Sequence, residues 1–200
     1  MHNCIEENPD VIILTERRNN KQTEYDALNL SYNQYVIEGV PSVKNTVCIL
    51  TKQEAIIEYT YKHNVITVIY VWLSIYWVYF PQKNEKKEVF EFIDWKVANT
   101  KSVVMWDFNT GKHLLDEQWE TFYCQKEFIE LSENKMVDIR RKKNPVKKEF
   151  SRYSSAWNWF RIDHALVSPD LDKKISEVWY DHSIRKKWLS DHSMMYISIE

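Results

Sequence analysis

Short runs of β-branched and aromatic residues recur along the chain and predict β-strands. The first run, residues 8–16 (NPDVIILTE), begins with a Pro-Asp turn and ends on the carboxylate of Glu16. Residues 65–80 are apolar and aromatic but fall short of the roughly 20 residues that a membrane span needs, so they predict one or two buried strands. Further strands are predicted at residues 47–50, 55–61 and 102–105 and in the segment FRIDHALVS at 160–168, with a last one after the LSDHS segment.

Two segments are predicted to be helical. Residues 85–99 (EKKEVFEFIDWKVAN) place Val89, Phe90, Ile93 and Val97 on one face with charges opposite. Residues 117–134 form the second predicted helix. Strands and helices in mixed order, without an internal repeat or a Gly/Ser linker, predict a single α/β domain over residues 1–200, built as an α/β sandwich.

The composition agrees with one folded domain. The chain has 200 residues, 44% hydrophobic and 28% charged, which excludes disordered and fibrous classes. Lys plus Arg total 27 against 29 for Asp plus Glu, a net charge of −2. A global positive field is therefore excluded, and any contact with nucleic acid must come from local basic patches.

The cysteines indicate a reducing compartment. Cys4, Cys48 and Cys124 are an odd, widely spaced set without a C-x-x-C pair, so neither a disulfide framework nor a zinc site is supported. The first ten residues lack the basic stretch and apolar core of a secretory signal. The sequence therefore predicts a cytoplasmic protein without a membrane segment, and a monomer is the default expectation.

Acidic residues stand where the predicted strands end, with an Asn and a His beside them. Loops at strand ends are where rigid scaffolds present catalytic groups. Carboxylates suit a hard cation such as Mg²⁺, and a His supplies an acid, a base or a phosphate donor. Each residue alone is more often a turn former or a solvated charge, but together they predict metal-assisted phosphoester hydrolysis. The set is Glu16, Asp107, Asn109, Asp163, Asp191 and His192.

Five ordered motifs carry a family resemblance. The segments NPDVIILTE, YFP, DFNTG, RIDHALVS and LSDHS resemble the endonuclease/exonuclease/phosphatase superfamily, and residues 106–193 are most similar to bacterial exodeoxyribonuclease III proteins. The resemblance implies a four-layer α/β/β/α sandwich. It also implies a metal-dependent hydrolase of DNA phosphodiesters, a 3′–5′ exonuclease and abasic-site endonuclease in DNA repair. The alternatives are a phosphomonoesterase of the same superfamily and a catalytically inactive nucleic-acid-binding relative.

The resemblance also implies roles for individual residues. Glu16 and Asp191 would bind Mg²⁺ or Mn²⁺, while Asp107, with Asn109 beside it, would orient or deprotonate the attacking water.

His192, held by Asp163, would contact the scissile phosphate. Tyr79 of the YFP motif would support the phosphate or the transition state, although a core aromatic explains it equally well.

Two basic runs could bind the phosphates of a DNA backbone electrostatically, without sequence specificity. Solvated surface charge is an equally good explanation for them. The candidate residues are Arg140, Arg141, Lys142, Lys143, Arg185 and Lys186.

The chain departs from the superfamily pattern at its start. The resembled proteins begin with a strand that carries an Asn of the metal and phosphate network, about 20 residues before the NPD segment. Here Met1 stands eight residues before Pro9. The resemblance therefore implies an N-terminally truncated domain that lacks its first strand; a diverged, inactive relative is the alternative.

The second departure concerns glycine. The chain has 2 Gly and 9 Trp, where average usage would give about 14 Gly. Trp77, Trp106, Trp157 and Trp159 stand where the resembled family has Gly. This coincidence suggests the hypothesis that UGA codons, which the source organism translates as Gly, were read as Trp. Trp72, Trp119 and Trp188 would belong to the same class.

Overall fold

The structure is a computed structural model and describes residues 7–17, 31–37, 46–61, 64–154 and 158–200. A six-stranded sheet runs through the centre of the protein. The strands of these ranges are β1 (Val11–Arg17), β2 (Asn33–Ile37), β3 (Thr46–Thr51), β4 (Ala55–Thr60), β5 (Val65–Tyr70), β6 (Leu73–Tyr79), β7 (Ser102–Asp107), β8 (Val137–Asp138), β9 (Arg152–Tyr153), β10 (Trp159–Phe160), β11 (Asp163–Val167), β12 (Ile175–Asp181) and β13 (Met194–Ile199). The helices are α1 (Lys86–Val97), α2 (Gln125–Ile129), α3 (Ile139–Lys143), α4 (Pro169–Asp172) and α5 (Ser183–Lys186).

The central sheet has the strand order β4-β5-β6-β7-β11-β8. Strands β6 and β7 are parallel and are connected through α1, whereas the other pairs in this sheet are antiparallel. Smaller sheets contain β1-β3-β2, β12-β13 and β9-β10. Residues 65–80 thus form the two-stranded hairpin β5-β6.

The two faces of the central sheet bury different partners, as the period-2 alternation of side chains requires. On β6, Ile75 and Trp77 face a core shared with β3, β12 and β13. Tyr76 and Val78 face a second core shared with α1 and α2. Sheet packs on sheet on one side and helices cover the other, so the predicted mixed α/β sandwich is confirmed.

Helix α1 confirms the predicted amphipathic face. Val89, Phe90, Ile93 and Val97 are buried, and Lys86 is buried with them. Within the described ranges, no helix combines the length and apolar character that crossing a membrane requires.

The helix predicted at 117–134 is wrong over its first half. Residues 117–124 form irregular structure because the buried Glu117 carboxylate accepts hydrogen bonds from the backbone N–H groups of Thr121 and Phe122. Cys124 then adopts a left-handed conformation (φ 58°) immediately before α2. A π-helical segment, Glu130–Lys135, continues α2.

Two tryptophans at the suspected glycine positions lie in unusual surroundings. Trp106 has a φ of 117°, which favours glycine over any residue with a Cβ. Trp77 is fully buried in β6, and its indole N–H meets no acceptor among the described residues. Trp159 is exposed in β10, and Trp157 lies outside the described residues. The conformation of Trp106 agrees with the hypothesis of a glycine at this position.

Candidate active site

Three of the candidate residues lie in one row at one edge of the central sheet. Tyr79 ends β6 and pairs in register with Asp107, which ends β7. Asp107 in turn pairs with Asp163, which begins the antiparallel strand β11. Tyr79 and Asp163 are 84 positions apart in sequence. The sheet nevertheless brings the three residues together, because the last residues of β6 and β7 and the first residue of the antiparallel β11 lie side by side.

The Asp163–His192 pair connects the central sheet to the residues that precede β13. The Nδ1 atom of His192 lies 3.0 and 2.9 Å from the two carboxylate oxygens of Asp163. Because a carboxylate only accepts hydrogen bonds, Nδ1 carries the proton and donates it. Asp163 itself receives support from Ser151, whose hydroxyl oxygen accepts the backbone N–H of Asp163 at 3.1 Å.

Burial and neighbouring charges shift the pKa values of these residues in opposite directions. Burial raises the pKa of Asp107 to about 7, and the charge of Asp163 adds to the rise, while His192 opposes it. Burial disfavours charge on His192, but Asp163 outweighs this effect through its charge and hydrogen bond and raises the pKa of His192 to about 9. At neutral pH the site therefore holds an imidazolium next to a carboxyl group that is partly ionised.

Asn109 forms the turn after β7. Its backbone N–H donates to Oδ1 of Asp107 at 2.7 Å, and its φ of 49° is left-handed. The side-chain amide donates to the carbonyl of Phe80 at 2.8 Å and accepts from Gln82 at 2.9 Å. Asn109 is thus fixed beside Asp107, as the DFN motif suggested.

Asp191 lies at the rim of the site with a half-exposed side chain. Its Oδ2 accepts from Nε of Arg152 at 3.1 Å and lies 4.0 Å from Nε2 of His192. A carboxylate oxygen is therefore available next to the imidazole.

Glu16 lies within β1, but its side chain is outside the described part of the protein. Among the residues that are described, no three His, Cys, Asp or Glu side chains converge so as to hold a metal ion.

Tyr79 is half-buried and packs against the core between the sheets. Asn64 fixes its backbone: the Tyr79 N–H donates to the Asn64 carbonyl at 2.9 Å, and the Asn64 amide donates to the Tyr79 carbonyl at 2.8 Å.

An open cavity of about 340 Å³ adjoins Asn109 and Arg152. Lys83 and Lys86 contribute positive charge to it, and Phe160 contributes an aromatic wall. The cavity therefore offers both cationic and apolar surface next to the row of strand ends.

The candidate basic residues differ in their exposure to solvent. Arg141 and Arg185 are buried: Arg141 pairs with Asp116, and Arg185 donates to Ser193. Arg140 is half-buried and pairs with Glu149.

The remaining three, Lys142, Lys143 and Lys186, have exposed side chains. Lys143 donates to the carbonyl of Ser176 at the start of the seven-residue strand β12. Such a strand spans roughly 20 Å, so Lys143 lies at the end of β12 away from His192.

Three further residues contact the site and were not predicted from the sequence: Arg152, Lys86 and Ser151. Arg152 and Ser151 belong to the segment EFSRYSS, in which Arg and Ser look like ordinary surface residues. Lys86 belongs to a run of charges at a helix start, and nothing in that pattern signals its burial. The segment EFSRYSS belongs to residues 106–193, the stretch whose motifs carry the family resemblance, and that resemblance is the signal that could have drawn attention to the first two.

Comparison with known proteins gives a family match and several structural neighbours. A family model described as endonuclease-reverse transcriptase matches residues 73–196. No curated protein matches the sequence.

Among solved structures, an AP endonuclease from Archaeoglobus fulgidus is 16% identical with a TM-score of 0.76, covering 98% of this chain and 91% of that chain. The 3′ phosphatase NExo from Neisseria, bound to a product DNA hairpin, is 18% identical with a TM-score of 0.82, covering 100% and 92%. The 3′-5′ exonuclease NExo from Neisseria meningitidis is 17% identical with a TM-score of 0.78, covering 100% and 93%. At these identities the likeness establishes the fold.

Proposed function

Because this chain belongs to the endonuclease-reverse transcriptase family, within the endonuclease/exonuclease/phosphatase superfamily, we propose that it is a metal-dependent hydrolase of DNA phosphodiester bonds. The observation that carries the proposal is the Asp163–His192 hydrogen bond beside Asp107 at one sheet edge. This arrangement supplies an oriented imidazole and a carboxylate of raised pKa within one small volume.

The donor chemistry of this edge fits a hard divalent cation. Asp107 and Asp163 are cross-strand neighbours; burial raises the pKa of Asp107, and the negative charge of Asp163 raises it further. Mg²⁺ uses one or two carboxylates plus water and substrate oxygens, and Glu16 and Asp191 would hold it or Mn²⁺ here. A bound cation would supply neutralisation of the charge that develops on the phosphate.

The protein's own residues account for the remaining chemistry. Asp163 fixes the ring of His192, so that Nε2 of the imidazolium is the atom that donates to a phosphate oxygen. Asp107, one of whose oxygens is held by the Asn109 N–H, orients a water molecule and accepts its proton. Tyr79 supports the phosphate from the next strand of the row.

DNA is the substrate we favour. The neighbours with the same fold are named as an AP endonuclease, a 3′ phosphatase bound to DNA and a 3′-5′ exonuclease. We propose 3′–5′ exonuclease and abasic-site activity in DNA repair, in the cytoplasm, by a monomer. Arg152 pairs with Asp191 at the site, and the exposed Lys186 ends α5, whose Arg185 donates to Ser193 next to His192; both would supply positive charge for a DNA backbone.

Three labelled DNA duplexes test the proposal: one with a recessed 3′ end, one with an internal abasic site and one with a 3′-phosphate. Each is incubated with the full chain in Mg²⁺, in Mn²⁺ or in EDTA, and with the Asp107→Ala variant as the control. We expect shortening of the recessed strand and cleavage at the abasic site, both abolished by EDTA and by the substitution.

Two other outcomes would support a different function for this protein. Release of phosphate alone from the third duplex would identify a phosphomonoesterase. Binding of DNA without turnover in either metal would contradict the hydrolase and support an inactive binding protein.

A further inference from the structure

Lys86 occupies a position that ordinary rules disfavour for lysine. It is 1% exposed, although lysine is almost never fully buried without a partner. It is also the first residue of α1, where the helix dipole disfavours a cation, and Lys83 and Lys87 add like charge nearby. Conflicts of this kind between a residue and its surroundings concentrate at functional sites.

The ammonium of Lys86 reaches the turn that follows β7. Its Nζ atom donates to the backbone carbonyl of Asn109 at 2.6 Å. The N–H of the same residue donates to Oδ1 of Asp107 at 2.7 Å. Lys86 therefore connects to the Asp107 carboxylate through a single intervening residue.

This hydrogen bond completes the attachment of Asn109 to the segment that runs from the end of β6 to the first residue of α1. Phe80 and Gln82 hold the Asn109 side chain, and Lys86 holds its backbone. Asn109 has a left-handed φ of 49°, which asparagine tolerates better than other non-glycine residues, and these contacts fix it in that conformation. Lys86 supplies the one charged contact in that set.

The protein maintains this ammonium against an electrostatic penalty. Burial lowers the pKa of Lys86 to about 8, although the charges of Cys124 and Asp107 oppose the shift. An apolar side chain of similar length at position 86 would avoid this penalty, at the cost of the hydrogen bond to the Asn109 carbonyl, and the two effects are of opposite sign. Stability alone therefore does not explain a lysine here.

We propose that Lys86 is a positioning residue of the active site, which holds the Asn109 carbonyl and thereby keeps the Asp107 carboxylate aligned for its role in hydrolysis. The catalytic part of this inference rests on the proposed function. The positional part concerns the order of the turn at residues 107–110 and is measurable without catalysis.

The test compares Lys86→Met, which removes the donor and the charge, with Lys86→Arg, which keeps both. Lys87→Met is the matched control, because Lys87 is the exposed neighbour on the same helix. For Lys86→Met we expect kcat on the recessed duplex to fall by about 10²-fold, as for a small misplacement of a reacting group. We expect KM to remain within about twofold. We expect Tm to change little, because relief of the burial penalty offsets the loss of the hydrogen bond to the Asn109 carbonyl. Lys86→Arg should recover part of kcat, and Lys87→Met should match the wild type.

Amide hydrogen exchange provides the second measurement. We expect the amides of residues 107–110 to exchange faster in Lys86→Met than in the wild type, and those of β5 to be unchanged. A wild-type kcat in Lys86→Met, or a fall in kcat that merely follows a fall in Tm, would overturn the proposal. If the wild type itself hydrolyses no DNA, the proposed function fails, and unchanged exchange at 107–110 would then refute the positioning role independently.

Discussion

Asp163 controls the chemistry of His192 at the scale of a single residue. It is 2% exposed, and both of its oxygens face Nδ1 of the imidazole. Burial disfavours its charge, yet His192 outweighs burial and lowers the pKa of Asp163. The carboxylate therefore stays ionised, fixes the tautomer and stabilises the imidazolium.

We expect Asp163→Asn to reduce hydrolysis of the recessed duplex by about 10²–10⁴-fold, the range attributed to a positioned acid or base. The amide keeps the shape of the side chain but removes the negative charge that holds His192 protonated. Single-turnover rates with enzyme in excess provide the measurement. Asp170→Asn, on an exposed carboxylate of α4, is the control. Equal rates for Asp163→Asn and the wild type would refute the role of the pair.

Trp106 has a backbone conformation that disfavours any residue with a side chain. Its φ of 117° lies where a Cβ is strained. We expect Trp106→Gly to be more stable than Trp106→Ala by about 1–3 kcal/mol, because glycine relieves strain that alanine retains. This order reverses the usual preference for Ala over Gly.

Urea unfolding of the two variants measures this difference directly. If Trp106→Ala proves the more stable variant, the backbone strain is not real. The codons provide an independent test: UGA at positions 77, 106, 157 and 159 is expected from the glycine hypothesis, and UGG at these positions would exclude it.

At the scale of elements, a buried ionic network joins β8, α3 and the residues just before β11 to the loop after β7. Arg161 forms two hydrogen bonds to Asp138, at 2.6 and 2.8 Å, and a longer one to Asp116 at 3.3 Å. Arg141 adds a further ion pair to Asp116. Asp138 also caps α3 by accepting the Arg141 N–H at 3.0 Å. The network thus holds together segments that are distant from one another in the sequence.

We expect Arg161→Met to lower the free energy of unfolding by about 3–5 kcal/mol, because it leaves two buried carboxylates without their main partner. Lys142→Met is the control, since it removes an exposed ion pair with Asp172 and should cost less than about 1 kcal/mol. Denaturant unfolding curves of both variants give the comparison. Equal losses would contradict the assignment of the network as a buried stabilising unit.

Local competition explains why one element was predicted wrongly. The periodicity of residues 117–134 resembles a helix, but the Glu117 carboxylate binds the backbone donors of the next turn itself. An acidic side chain that captures backbone N–H groups offers the chain an alternative to the helix. The pattern of apolar residues contains no trace of this competition.

Stability towards acid belongs to the whole molecule, because several paired carboxylates contribute to it. Burial disfavours charge on Asp116, Asp138 and Glu149, but their cationic partners outweigh burial and lower the pKa of all three. A carboxyl group whose folded pKa is depressed stabilises the protein above its unfolded pKa, near 4. That contribution is lost as the pH falls through the folded value.

We therefore expect the free energy of unfolding to be flat with respect to these groups from about pH 7 to pH 5, and to decline steeply below about pH 4. Urea unfolding at pH 7, 5 and 3 measures the decline. Asp138→Asn should weaken the protein at pH 7 but reduce the slope below pH 4, because the substituted group no longer takes up a proton. An unaltered slope in that variant would contradict the contribution of Asp138.

The sequence was sufficient to predict strands β1, β3, β4, β7, β11 and β13, helix α1 and the position of the acidic residues at strand ends. These features follow from local periodicity and turn residues, which are properties of neighbouring positions. The motifs also identified the superfamily. Strand β2 was not predicted, because its alternation is weak and much of it is exposed.

Tertiary pairing determines which strand ends meet, and the sequence does not reveal it. The register of β6, β7 and β11 aligns Tyr79, Asp107 and Asp163, and the stacking of the sheets delivers His192 to them. Tertiary packing also buried Lys86 beneath Asn109 and turned Arg141 and Arg185 inward. Burial and long-range pairing depend on contacts between distant segments, and a linear pattern of residue types carries no record of those contacts.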